Sequence, residues 1–197
     1  MGRPNDMKPS QKNALFSLFW LIVYTVTYLF SLGWDSPIPI YYYAMSAGTA
    51  LLFICFLRHL NPIYYFLFML FTVMAQYFGS MLGGYHAIWF YDLILHFSSG
   101  FLLVLVGNLL YRRLLSRSSK SASLPKLLPV LFSFFLSVAF AGLWEIYEFC
   151  GDFFFNLQAQ GGSLLDTMTD IIAGSIGAVV GTFSLWLRLK KQEHTPS

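Results

Sequence analysis

Apolar residues run along this chain in blocks long enough to cross a bilayer, separated by short polar or Pro/Gly breaks. A helix rising about 1.5 Å per residue needs about 20 apolar residues to traverse the hydrocarbon core. Six segments meet that length: Ala14–Gly33, Ile40–Leu57, Ile63–Leu82, Ile88–Leu110, Leu127–Phe149 and Leu164–Leu187. Pro37 and Pro39 part the first two, Asn61-Pro62 the second and third, and Gly83-Gly84 the third and fourth. A Ser- and Arg-rich connection from Tyr111 to Lys126 precedes the fifth, and Gln158 to Ser163, with Gly161-Gly162, precedes the sixth. Such residues punctuate helices. The pattern predicts an all-α, polytopic bundle of six transmembrane helices over residues 14–189, with residues 1–13 and 190–197 outside it as cytoplasmic ends.

Composition agrees. Charged residues are 11% of the chain against 57% hydrophobic, and a soluble domain carries about 25% charged residues. The basic stretch before Ala14 resembles the start of a signal peptide. The apolar run after it exceeds a signal's usual ~7–15 residues, and no small-x-small site follows, so the first helix is expected to stay. Cys55 and Cys150 fall near opposite faces in this topology, so no disulfide between them is expected.

Charge placement orients the bundle. With the N-terminus inside, all twelve Lys and Arg residues fall on the cytoplasmic side: Arg3, Lys8, Lys12, Arg58, Arg112, Arg113, Arg117, Lys120, Lys126, Arg188, Lys190 and Lys191. That is the positive-inside arrangement, N-in and C-in. Basic residues at this surface meet anionic lipid head groups and need no nucleic acid to explain them. Of the nine acids only Asp6 and Glu193 share that side; Asp35, Asp92, Glu145, Glu148, Asp152, Asp166 and Asp170 lie toward the outer face. Orientation does not require this, so the acids need another cause.

The outward acids are spaced for helices. Asp92 and His96 are four apart, Glu145 and Glu148 three apart, and Asp166 and Asp170 four apart, so each pair shares one helical face. The same faces continue as small residues: Gly100 and Gly107; Ala141, Ser137 and Ser133; Gly174, Gly177 and Gly181. Small residues let helices approach closely in lipid. The last three spans are therefore expected to pack together, with their acids converging in an outward-opening pocket. His96, Glu145 and Asp170 should lie roughly 8–12 Å below the outer boundary, where an ionised group costs from about 2.5 kcal/mol upward. Lacking a lysine or arginine there, the acids call for protons, water or a bound cation. Carboxylates suit Mg²⁺, Ca²⁺ or Mn²⁺, and an imidazole favours Zn²⁺, Mn²⁺ or Fe²⁺. The candidate metal ligands are Asp92, His96, Glu145, Glu148, Asp166 and Asp170.

Plainer readings compete. Asp166 with Ser163 suits a helix cap, Asp152 and Asp35 suit solvated interface charges, and His96 suits a neutral imidazole bonded to a backbone carbonyl. Trp34, Tyr41, Tyr42, Tyr43, Tyr85, Trp89 and Trp186 read as interfacial anchors, and Gln76 as a further polar group for the pocket. Glu145, Glu148 and Asp170 lie too deep for capping or solvation.

The ordered pattern Asp92-x-x-x-His96-Phe97-x-x-Gly100, Trp144-Glu145-x-x-Glu148 and Asp166-x-x-x-Asp170 with Gly177-Ala178 resembles the bacterial inner-membrane proteins typified by YjdF. It is similar, more distantly, to the VanZ-like superfamily. The likeness covers about residues 91–180; Asp152 departs from it. It implies a small multi-pass protein of the bacterial inner membrane whose polar positions are those six residues.

Three functions fit. One is an outward divalent-cation site acting on a lipid or envelope precursor. Another is a non-enzymatic scaffold or envelope-stress/antibiotic-sensitivity protein, whose acids set helix register. The third, a proton or cation transporter, is opposed by the apolar inner halves of the last three spans. No phosphate loop, nucleophile elbow or His-Glu-x-x-His zinc helix is present.

Overall fold

The computed structural model describes residues 7–116, 125, 127–155, 160 and 163–193. Arg3, Asp6, Arg117, Lys120, Lys126, Gln158 and the Gly161-Gly162 pair lie outside them. The described residues are helical, without strands. The helices are α1 (Pro9–Ser31), α2 (Ile40–Leu57), α3 (Pro62–Met81), the short α4 (Gly84–Ala87), α5 (Tyr91–Ser116), α6 (Leu127–Phe155) and α7 (Leu164–Glu193). All but α4 are long and apolar enough to span a membrane, and their outward faces are covered in Phe, Leu, Ile and Val (Phe30, Phe56, Phe135 and Val179 are all more than half exposed). Such a surface is stable only against hydrocarbon. The protein is membrane-embedded.

The chain divides into two compact units, Met1–Tyr91 and Asp92–Ser197. The first is glued by uncharged hydroxyls and aromatic rings. The Asn13 side chain donates to the carbonyls of Arg58 (2.9 Å) and Leu60 (3.0 Å), satisfying groups that the end of α2 leaves open. Ser17 bonds Tyr65, Thr27 bonds Tyr77 (2.9 Å), and Thr25 bonds Tyr43 (3.2 Å). Tyr43 also stacks on Tyr28 at 4.8 Å, and Tyr42 packs on the same core. These two tyrosines therefore pack inside the unit, whereas Trp89, 85% exposed, keeps the surface position expected of an anchor.

Regular helix fails in two places. Phe53–Leu57 and Val73–Met81 wind as π-helix, a wider spiral that hydropathy cannot distinguish from α. In the second, Gly79 has no side chain and the ring of Tyr85 occupies the space a Cβ would need. Gly83, at φ 76°, then ends the span in a conformation that favours glycine. The fourth span consequently starts at Tyr91, after the separate turn α4, and not at Ile88.

In the second unit α5, α6 and α7 meet along the small-residue seams. A Cβ on Gly100 would collide with the carbonyl of Gly174, and one on Gly177 with that of Phe97. A Cβ on Gly107 would come within 2.7 Å of the Ser133 backbone, and one on Gly174 within 3.1 Å of Ala141. Backbones touching at these points bring the ends of three helices together. Below them Val104, Ala178 and Leu185 are buried, with Phe134, Val138 and Leu189 against them.

Candidate metal centre

Helix direction puts the acids at one end. Asp92 and Asp166 occupy the first turns of α5 and α7, where the helix dipole favours negative charge. Glu145, Glu148 and Asp152 sit toward the C-terminus of α6, the end that disfavours it. Their placement needs a compensating partner, and Glu145 faces His96.

His96 is the centre. Its Nε2 lies 3.5 Å from Asp92 Oδ1 and 3.8 Å from Asp170 Oδ2, and its Nδ1 lies 3.8 Å from Glu145 Oε1. His96, Glu145 and Asp170 are buried (6%, 3% and 2% exposed), and Asp92, with 38% of its side chain exposed, forms the open side. Three carboxylates from three helices thus surround one imidazole, each farther from it than the 2.7–3.2 Å of a normal hydrogen bond. Neither oxygen of Glu145 has a hydrogen-bond partner. With no lysine or arginine in residues 89–111 or 127–187, the group has at most one positive charge to set against three negative ones. Two carboxylate charges about 4.8 Å apart repel by about 3 kcal/mol even at an effective dielectric of 20.

Asp92, His96 and Asp170 can each offer one ligand atom, and these atoms lie within 4.8 Å of one another. Ligands about 2.0–2.6 Å from one ion lie at most about 4–5 Å apart, so this trio is the right size to hold a metal ion. One nitrogen with two carboxylate oxygens suits Zn²⁺, Mn²⁺ or Fe²⁺ better than Ca²⁺.

The other expected positions are held differently. Glu148 Oε1 accepts the indole N–H of Trp144 at 2.7 Å. Ser163 caps α7 by accepting the backbone N–H of Asp166 at 3.1 Å, which makes Asp166 part of the cap. Neither acid forms an ion pair with His96 within 4 Å, among the described residues. Asp152 is more than a solvated charge, because its Oδ2 accepts the backbone N–H of Gln160 at 3.0 Å. In the first unit, Gln76 donates to Thr49 at 3.0 Å.

Gln160 is the residue that sequence reasoning passed over. Its side-chain amide reaches the carbonyl of Glu145 (3.4 Å) and the hydroxyl of Thr167 (3.0 Å), tying the α6 and α7 sides of the cluster. A glutamine between Ala159 and Gly161, two residues after Gln158, looks like loop filler, and no periodic signal marks it. The single-helix spacings found Asp92, His96, Glu145 and Asp170. Cys55 and Cys150 are free thiols.

No curated protein and no solved structure matches the chain. A family profile does, over residues 14–191, a stretch that takes in all four residues of the cluster and most of each of the six spans. The chain belongs to the DUF2238 family of predicted membrane proteins, consistent with its YjdF-like motifs.

Proposed function

We propose that the protein binds a divalent cation through Asp92, His96 and Asp170 on the outer side of a bacterial inner membrane, and presents it to a lipid or envelope precursor. Glu145, Glu148 and Asp166 complete the acidic surround. One observation carries this reading: a buried imidazole ringed by three carboxylates at 3.5–3.8 Å, with both oxygens of Glu145 unpartnered. An ion among the ligand trio supplies the missing positive charge, and three protein ligands leave coordination positions open. Asp92, the exposed member, marks where a ligand would enter. The outward orientation rests on the distribution of Lys and Arg, and the more distant VanZ-like kinship belongs to the same proposal.

A transporter would need a polar route past this site. Beneath it Val104, Ala178 and Leu185 are apolar and buried, and the buried polar side chains there, Ser133, Ser137 and Asn108, are uncharged, which disfavours a relay of ionisable groups continuing inward. The decisive experiment is elemental analysis of the purified full chain in detergent, after equilibration with Zn²⁺ or Mn²⁺. Close to one ion per chain is expected, falling below a tenth in Asp92→Ala, His96→Ala and Asp170→Ala. Wild-type protein that retains no metal sinks the proposal and leaves the acids a role in helix register.

A further inference from the structure

We infer that Glu145 is the positioning residue for His96: it holds the Nδ1 edge of the imidazole so that Nε2 faces Asp92 and Asp170, and is not itself a ligand. This rests on the cation reading above and assigns one of its carboxylates a separate task. The ring divides its neighbours by edge. Both aspartates face Nε2, at 3.5 and 3.8 Å, whereas Glu145 alone of the three faces Nδ1, at 3.8 Å. The trio whose ligand atoms fit around one ion likewise contains Asp92, His96 and Asp170 without Glu145.

Glu145 also has a reason to take this contact. Its side chain is buried and neither oxygen accepts a hydrogen bond, a costly state in a low-dielectric interior. The Nδ1 of His96 lies less than about 1 Å beyond hydrogen-bond distance. An N–H there, with the metal on Nε2, satisfies both groups. The backbone of Glu145 is meanwhile held by Gln160, which also bonds Thr167 on α7. A histidine that binds a metal through one nitrogen commonly donates the other N–H to a carboxylate, which fixes the tautomer and strengthens the ligand; loss of that partner typically weakens metal binding 10–100-fold.

The test measures Zn²⁺ affinity of the full chain in detergent, by competition with a chromophoric chelator, for wild type, Glu145→Gln, Glu145→Ala and Asp170→Ala. Zn²⁺ is a suitable probe because it binds such donor sets at least as tightly as Mn²⁺ or Fe²⁺. The visible spectrum of the Co²⁺-loaded protein is recorded alongside. Expected results are one Zn²⁺ per chain in both Glu145 variants, about 10–100-fold weaker than wild type, with Gln the milder change because its carbonyl still accepts the Nδ1 proton. The Co²⁺ bands should shift in Glu145→Ala as the ring turns, whereas a carboxylate that only braced two helices would leave them unmoved. Asp170→Ala should lose the site. Wild-type affinity in both Glu145 variants overturns the inference while leaving the cation reading intact. Loss of stoichiometry in both Glu145 variants, matching Asp170→Ala, also overturns it by making Glu145 a ligand. Metal-free wild type overturns both. If Glu145→Ala does not fold, the isosteric Glu145→Gln decides.

Discussion

Serines 133 and 137 look alike in the sequence, two small residues one turn apart on the close-packing face of α6. The structure gives them different work. Ser137 Oγ donates across to the carbonyl of Gly100 at 2.7 Å, in a fully buried contact between α6 and α5. Ser133 Oγ donates to Pro129 in its own helix, at the same 2.7 Å. Interhelical bonds of this kind average about 0.6 kcal/mol in membranes and reach about 1.7. Ser137→Ala is therefore expected to lower unfolding stability by about 0.6–1.7 kcal/mol, and Ser133→Ala by less, measured by reversible unfolding in mixed micelles. Equal losses would show that the bond to Gly100 contributes nothing specific. Smallness was legible at both positions; the direction of each hydroxyl was not, because it depends on which backbone lies opposite.

At the level of the elements, glycines report how closely helices touch. Gly142 on α6 has open space where a Cβ would go, whereas Gly177 on α7 is pressed against the carbonyl of Phe97 on α5. Overpacking costs about 1–3 kcal/mol, and adding a Cβ at a free helical site gains up to about 1 kcal/mol. Gly177→Ala should therefore destabilise the protein and Gly142→Ala leave it unchanged or slightly more stable, as read by thermal melting in detergent. The reverse order would mean that α5 and α7 do not meet at this seam. Spacing alone predicted the Gly100/Gly174/Gly177 seam, because a three-or-four-residue repeat of small residues confines close approach to one face. It did not predict the π-helical turns of α2 and α3, whose extra residue per turn leaves no mark in hydropathy. Nor did it predict the start of α5 at Tyr91, since the apolar Ile88–Phe90 stretch reads as helix.

For the whole molecule, two outcomes follow from the cation and orientation proposals. A ligand held by the folded state alone stabilises by about 2.7 kcal/mol at 100 times its dissociation constant. Metal-loaded protein should thus melt several degrees higher than chelator-treated protein, and His96→Ala should abolish the difference. An unchanged melting point in wild type would count against the site. Separately, reporter fusions after Lys191 should read as cytoplasmic and fusions within the α6–α7 connection as external; the opposite pattern would reverse the orientation. Sequence by itself determined the membrane class, the six spans, the face of each helix that carries acids and the seams along which α5, α6 and α7 pack. These follow from one-dimensional quantities: the length of an apolar run needed to cross hydrocarbon, and the 3.6-residue period that stacks side chains. Only the tertiary structure decided that Asp92, Glu145 and Asp170 converge on His96, that the Glu148 carboxylate takes the Trp144 indole, and that Gln160 bridges two helices. Those outcomes depend on how three helices rotate against one another, and contacts between residues far apart in the chain, from Gly107–Ser133 to Phe97–Gly177, set that rotation.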